Sequence, residues 1–251
     1  MFEQQKSILV LDEISADLAV YVEPKLLKGE YEALIKNDSL DIEQIKKYQE
    51  LLSNVRFALN KTFKYVQYFE EFYPVAVKIE KFEALNHHIH GYLEDMTILK
   101  NKIEVLLGVM KNDIGKVAVN KKETAEFFEA GVNKTKEVFD GVSKQRNPHH
   151  HAGRRFFDGD LLKAENAQGT LEIFTTGVFS NMINPDYKDE FFVSLKKVKE
   201  ESFQTAKVRW IKMAQNNNYQ TVGYLSELLE VIKPALYQFL NIKPIKELIK
   251  E

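Results

Sequence analysis

Leu85, Ile89, Leu93, Met96, Leu99, Ile103, Leu106 and Met110 follow one another at steps of three or four residues. An α-helix turns once every 3.6 residues, so these eight side chains line one side of a single long helix. A strand would scatter them over two faces. A helix with an unbroken apolar stripe has to be covered, and the rest of the sequence offers more helices to cover it. Ala125, Phe128, Val132, Thr135, Phe139 and Val142 repeat the spacing from Lys122 to about Lys144. Leu161, Leu162, Leu171, Phe174, Val178 and Met182 do so after Asp160, which suits an N-cap, and Asn184-Pro185-Asp186 stops that helix.

Glycine and proline, 11 and 6 in 251 residues, interrupt the chain rarely. Asp41 to about Phe72 reads as a helix ended by Tyr73-Pro74, because the residue before a proline is pushed out of helical geometry. Lys188 to about Asn216 and Val222 to about Asn241 read as two further helices, and Ser7 to Val22 as a helix or a short strand. The expected fold class is all-α, a helical bundle of about six to seven helices. Residues 1–75 read as an N-terminal helical part, either folding separately or integral to the same domain, and residues 76–251 as the main bundle.

Several chemistries are excluded by composition. There is no cysteine, hence no disulfide and no thiolate metal site, which fits a reducing compartment. Net charge is −2, so anion binding has to be local rather than driven by a global positive field. The early apolar run Ile8–Leu11 ends at Asp12-Glu13, too short for a signal-peptide core, and no stretch reaches the roughly 18 apolar residues of a membrane span. A cytoplasmic protein with no membrane partner is expected.

Histidine and arginine are distributed unevenly. Of five arginines, Arg146, Arg154 and Arg155 fall within Gln145–Arg155, and of six histidines His149, His150 and His151 stand there in a row. Asn147-Pro148 has the form of an N-cap followed by the proline favoured at the first helical position. A helix starting at Pro148 would set Arg146 beside an N-terminus, where unpaired N–H groups attract anions. A guanidinium grips phosphate oxygens in pairs, and an imidazole exchanges protons near neutrality. Cleavage of an RNA phosphodiester by its own 2′-hydroxyl needs a base, an acid and a fixed cation, without metal.

Arg146-Asn147-x-x-x-His151 resembles the R-x(4–6)-H motif of HEPN domains, with the polar residue that commonly follows the arginine. Arg146–His151, RNPHHH, is also similar to the KEN-type ribonuclease domains of that superfamily. The likeness covers about six residues and the long helices on either side. It implies a metal-independent endoribonuclease of defence or toxin–antitoxin systems, working as a homodimer on RNA, needing no cofactor, and restrained by an antitoxin or regulatory protein. Arg146 would contact the scissile phosphate, His151 would be general base or acid, and Asn147 would orient one or the other. His150, Arg154 and Arg155 would assist substrate binding. Gly153 stands where one subgroup carries the tyrosine linked to control by a nucleotidyltransferase, so that control is not implied.

Two other readings stand beside this one. The first is an inert HEPN-like module that binds nucleotide, RNA or a protein. The second is a metal-binding helical protein using both His clusters: His87, His90 and Glu94 share a helix face at i, i+3 and i+7, and His149, His150 and His151 would join them if the two segments pack side by side. The bland view of these histidines is a polar face with His88 partly packed. Asp158-Gly159-Asp160 reads as a turn and cap, with carboxylates that could also orient Arg154 or a motif histidine. Trp210, among Lys207, Arg209 and Lys212, reads as packing with a charged rim.

Overall fold

The regular elements are α1 (Phe2–Val22), a 3₁₀ turn (Pro24–Leu26), α2 (Ile42–Glu71), α3 (Lys81–Val117), α4 (Lys121–Val138), α5 (Asp140–Ala152), α6 (Gly159–Thr176), α7 (Pro185–Leu240) and α8 (Ile245–Leu248). The computed structural model describes residues 2–26, 40–73, 79–152, 158–176, 179 and 184–248. Inside the helices, the side chains of residues 2–9, 147–152 and 185 fall outside that description. The fold is an all-α helical bundle, with no strand among the described residues. None of the described helices is long and apolar enough to cross a membrane.

Packing divides the chain into two units that interleave in sequence. One is Met1–Lys61, Asp95–Gly141 and Asn217–Glu251, and the other is Thr62–Glu94 and Val142–Asn216. The sequence reading divided the chain once, near residue 75.

In the first unit the core combines aliphatic side chains such as Leu11, Ile14, Leu18, Ile45, Leu52, Leu99, Ile103, Leu107, Leu229 and Leu236 with the buried rings of Tyr48, Phe128 and Phe139. Two carboxylates organise its polar contacts. Asp113 accepts from Gln44 Nε2 at 2.9 Å, Lys47 Nζ at 2.6 Å and Tyr48 Oη at 3.0 Å, which ties the start of α2 to the end of α3. Buried Asp17 accepts from Tyr237 Oη at 2.5 Å and from the Ile245 N–H at 3.0 Å, so a residue of α1 caps the short α8. Between α7 and α8 the chain reverses at Asn241, whose φ of 54° is the left-handed conformation that asparagine tolerates at a helix end.

The second unit has an aromatic core. Phe69 meets Tyr92 edge-on at 5.9 Å between ring centroids and Trp210 at 6.4 Å, and Tyr73 meets Phe203 at 5.6 Å. Gly91 leaves room for Tyr65, whose Oη would stand 2.7 Å from a Cβ there, and the Tyr65 ring meets Tyr92 edge-on at 5.6 Å. Every residue of the stripe from Leu85 to Met110 is buried, as its spacing requires.

The helix expected to end at Asn216 and its successor at Val222 are one helix, α7, 56 residues long. Trp210, Ala214, Asn218, Thr221, Val222, Leu225 and Leu229 are all buried, so the stripe is continuous and two of its members are polar. Asparagine and threonine are only weak helix formers, not breakers, and burial of their side of the helix prevails.

The cap of α6 also lies elsewhere than expected, at Asp158 rather than Asp160. Asp158 Oδ1 accepts from the Asp160 and Leu161 N–H groups at 3.0 and 3.1 Å. Its Oδ2 accepts from Trp210 Nε1 at 2.7 Å and from Arg209 Nη2, while Arg209 Nη1 donates to Asp160 Oδ2 at 2.6 Å. The buried carboxylate takes the cap because it accepts backbone N–H groups of the first turn of α6 with one oxygen and donors from α7 with the other. Trp210 is buried, as its setting suggested.

Burial alone would raise the Asp158 carboxyl, but Arg209, Trp210 and the Leu161 N–H together hold it below the usual carboxylate range. Arg209 lowers Asp160 likewise. A group depressed in the folded state stabilises fully above its unfolded pKa, about 3.9 for aspartate, and loses that contribution as pH falls through the folded value. Asp158→Ala is expected to cost about 2–4 kcal/mol at pH 7 and less at about pH 2.5. Urea denaturation followed by circular dichroism measures both; equal losses at the two pH values would contradict the ion-pair account.

Candidate functional site

Helix α5 begins at Asp140 directly after Phe139, which closes α4, and buried Val142 anchors its first turn. One turn further on, the same side of the helix carries Arg146, whose side chain retains 24% exposure. Its guanidinium meets Glu94 of α3 as a fork. Nε donates to Oε2 at 2.6 Å and Nη2 to Oε1 at 3.2 Å. Glu94 is 47% exposed, so the pair lies at the edge of the second unit rather than in its core. The fork uses two of the five guanidinium N–H bonds.

Helix α5 extends unbroken from Asp140 to Ala152. The start expected at Pro148 does not occur, and the motif lies in the second half of a helix. Asp140 in the first turn favours the upstream start through the helix dipole and Val142 secures it by burial, against the roughly 3 kcal/mol that a proline inside a helix costs. The electrostatic consequence is a reversal. Position 151 adjoins a C-terminus, which presents carbonyls and a partial negative charge, so backbone N–H groups supply no anion site there. Attraction for phosphate at this end must come from side chains.

Helical register adds a second constraint. Positions 149 and 150 lie on the Arg146 side of α5, whereas position 151 is roughly 140° around the axis and roughly 7.5 Å along it. The side chains of Asn147, His150 and His151 lie outside the described residues, as do Arg154 and Arg155 entirely.

On α3 the upstream histidines separate by role. His88 Nε2 lies 2.8 Å from the Phe72 carbonyl, with the Tyr68 and Phe72 rings at 5.8 and 5.7 Å, and so it packs against the end of α2. His87 and His90 are exposed. Glu94, the third ligand of the expected metal set, is engaged with Arg146, and among the described residues no three of His, Asp and Glu are placed to hold a metal. Of the His87–His90–Glu94 set, Glu94 is the residue that meets Arg146, and the side chains of the second His cluster, 149–151, lie outside the described residues. The i, i+4 relation of Glu94 to His90 is visible in one dimension and the contact with Arg146 is not. The carboxylates Asp158 and Asp160 likewise engage Arg209, and Arg154 and the motif histidines lie outside the described contacts.

No known family model matches this chain, and no curated protein and no solved structure matches it either.

Half-exposed ion pairs are worth little, because water competes for both partners. A double-mutant cycle with Arg146→Ala and Glu94→Ala is expected to give a coupling below about 1 kcal/mol, with both single variants folded. Thermal or urea unfolding of the four proteins measures it, and a coupling above about 3 kcal/mol would mark the pair as part of the core instead.

Proposed function

We propose that this protein is a metal-independent endoribonuclease of HEPN type, acting as a cytoplasmic homodimer on RNA. The observation that carries the reading is the Arg146–Glu94 fork. A guanidinium is held in one orientation at the edge of a helical unit, with three N–H bonds outside the fork, on the helix that bears RNPHHH. Preorganised cations of this kind stabilise the charge that develops on phosphorus without reorganising during the reaction. Arg146 contacts the scissile phosphate, and His151 takes the proton of the 2′-hydroxyl as general base. Asn147 orients the phosphate or His151, and His150, Arg154 and Arg155 assist in binding the substrate. The 2′-oxygen bonds to phosphorus, the bond to the 5′-oxygen breaks, and the products are a 2′,3′-cyclic phosphate and a 5′-hydroxyl. The setting is growth arrest or defence, under restraint by an antitoxin or regulatory protein.

The helical register favours a second reading. If α5 keeps position 151 turned away from Arg146 when RNA is bound, the module binds RNA without cutting it.

Incubating the protein with RNA in excess EDTA separates the two. Cleavage leaving 2′,3′-cyclic ends, reduced at least about 100-fold in Arg146→Ala and in His151→Ala with unchanged circular dichroism, is the expected outcome. Binding of RNA with no cleavage would select the inert module, and neither binding nor cleavage would remove RNA from consideration.

A further inference from the structure

Single exposed apolar side chains are ordinary on a protein surface, but Phe72, just past the end of α2, is both exposed and held. It is 64% exposed. Its ring lies 5.6 Å from that of Tyr68 and 5.7 Å from that of His88, and its carbonyl lies 2.8 Å from His88 Nε2. Side chain and backbone are both restrained, so the ring needs little further ordering to receive a flat partner. Phe57 is as exposed, but Lys61 Nζ already stands 5.4 Å from its ring centroid.

A run of contacts joins Phe72 to the fork. The Tyr68 ring stands 5.4 Å from that of Tyr65, and both are half-buried, so they reach the surface. Tyr65 Oη closes on Gly91, at 2.7 Å from the place of a Cβ. Gly91 precedes Glu94 by three residues on α3, a rise of roughly 4.5 Å. Glu94 in turn accepts from Arg146 Nε at 2.6 Å. All of these residues belong to the second unit. Charge around Phe72 is mixed: Glu70 and Glu71 are exposed, and Lys207 Nζ donates to the Glu70 carbonyl at 2.8 Å. Coulombic attraction therefore does not select a ligand at this end, whereas a restrained flat ring selects another flat ring. A single nucleic-acid strand offers a base to the ring and a phosphate to the guanidinium. An apolar side chain of a protein partner would use only the ring.

We propose that Phe72, backed by Tyr68 and His88, is a base-stacking subsite for single-stranded RNA, with the Tyr68 and Tyr65 rings lining the way to Arg146. This rests on the reading that the protein binds RNA, and it does not depend on cleavage.

Binding to the full chain is measured by fluorescence anisotropy with two labelled oligomers of equal length. One is a 2′-O-methyl oligoadenylate, which lacks the attacking hydroxyl and stays intact. The other has the same backbone without bases. Phe72→Ala is expected to weaken the oligoadenylate about 5- to 150-fold and the abasic oligomer less than about twofold. Phe72→Leu, apolar but without a ring, is expected to match Phe72→Ala, and Phe72→Trp to bind within about threefold of the wild type. Arg146→Ala is expected to weaken both oligomers alike, because it meets the backbone. Unchanged oligoadenylate binding in Phe72→Ala, equal losses on the two oligomers, or full affinity in Phe72→Leu would overturn the stacking subsite and leave the RNA reading in place. A wild-type protein that binds neither oligomer would overturn both. The Phe72 side chain is mostly in water, so circular dichroism of the variants is expected to match the wild type.

Discussion

A carboxylate withdrawn from water has to be surrounded by donors, and the donors it collects decide which elements are held together. Asp158 is the fullest instance. It accepts from two N–H groups of its own helix and from Arg209 and Trp210 of α7, so one side chain starts α6 and fixes it against a second helix. Asp17 performs the same task between α1, α7 and α8, and Asp113 between α2 and α3. Burying a charge without such partners costs several kcal/mol, more than the net stability contributed by most single contacts. Each of these aspartates therefore acts as a constraint as much as a contact. An alternative packing that separated α6 from α7 would leave Asp158 charged and unsatisfied, and the penalty would exceed what a slipped apolar stripe could recover.

The pair between Arg146 and Glu94 belongs to a different class. Both partners keep contact with water, so the attraction is largely screened and its loss is inexpensive. Stability does not explain a fork at that place. What it does achieve is orientation. Two parallel hydrogen bonds fix the plane of the guanidinium, and a planar donor set presented at a fixed angle is the property needed for recognising a phosphate. The contrast with Arg209 is instructive. Arg209 also makes a two-pronged contact, but with the two carboxylates at the start of α6, Asp158 and Asp160, and its charge is committed to the fold.

How much of this was legible beforehand depended on the range of the interaction. The stripe of α3 could be read because its eight members are apolar and their order in sequence is their order in space. The stripe of α7 could not be followed through residues 216–221, because Asn218 and Thr221 are buried as polar residues and a hydrophobic pattern passes over them. Asp160 looked like the cap because it precedes Leu161. Asp158 is the cap because Arg209 and Trp210, some fifty residues away, make its burial tolerable. Asn147-Pro148 carried a true local preference for starting a helix, and it lost to a helix already under way from Asp140 and anchored by Val142. The carboxylate that holds Arg146 was named in advance only as a neighbour of His90, since nothing in a one-dimensional pattern joins residue 94 to residue 146.

The reversed polarity of α5 changes what the site must be made of. Had the motif opened a helix, backbone N–H groups would have supplied positive potential at no cost in side chains. At the far end of a helix the backbone supplies the opposite sign, and the net charge of −2 brings no long-range attraction to offset it. Anion recognition then depends on a few cationic side chains held at fixed positions, and the value of each rises as their number falls. That is the physical reason for expecting the fork to matter in function though it matters little for stability. With so few charges available, an arginine free to rotate would spend much of its time pointing elsewhere, and the contact with Glu94 restrains that rotation.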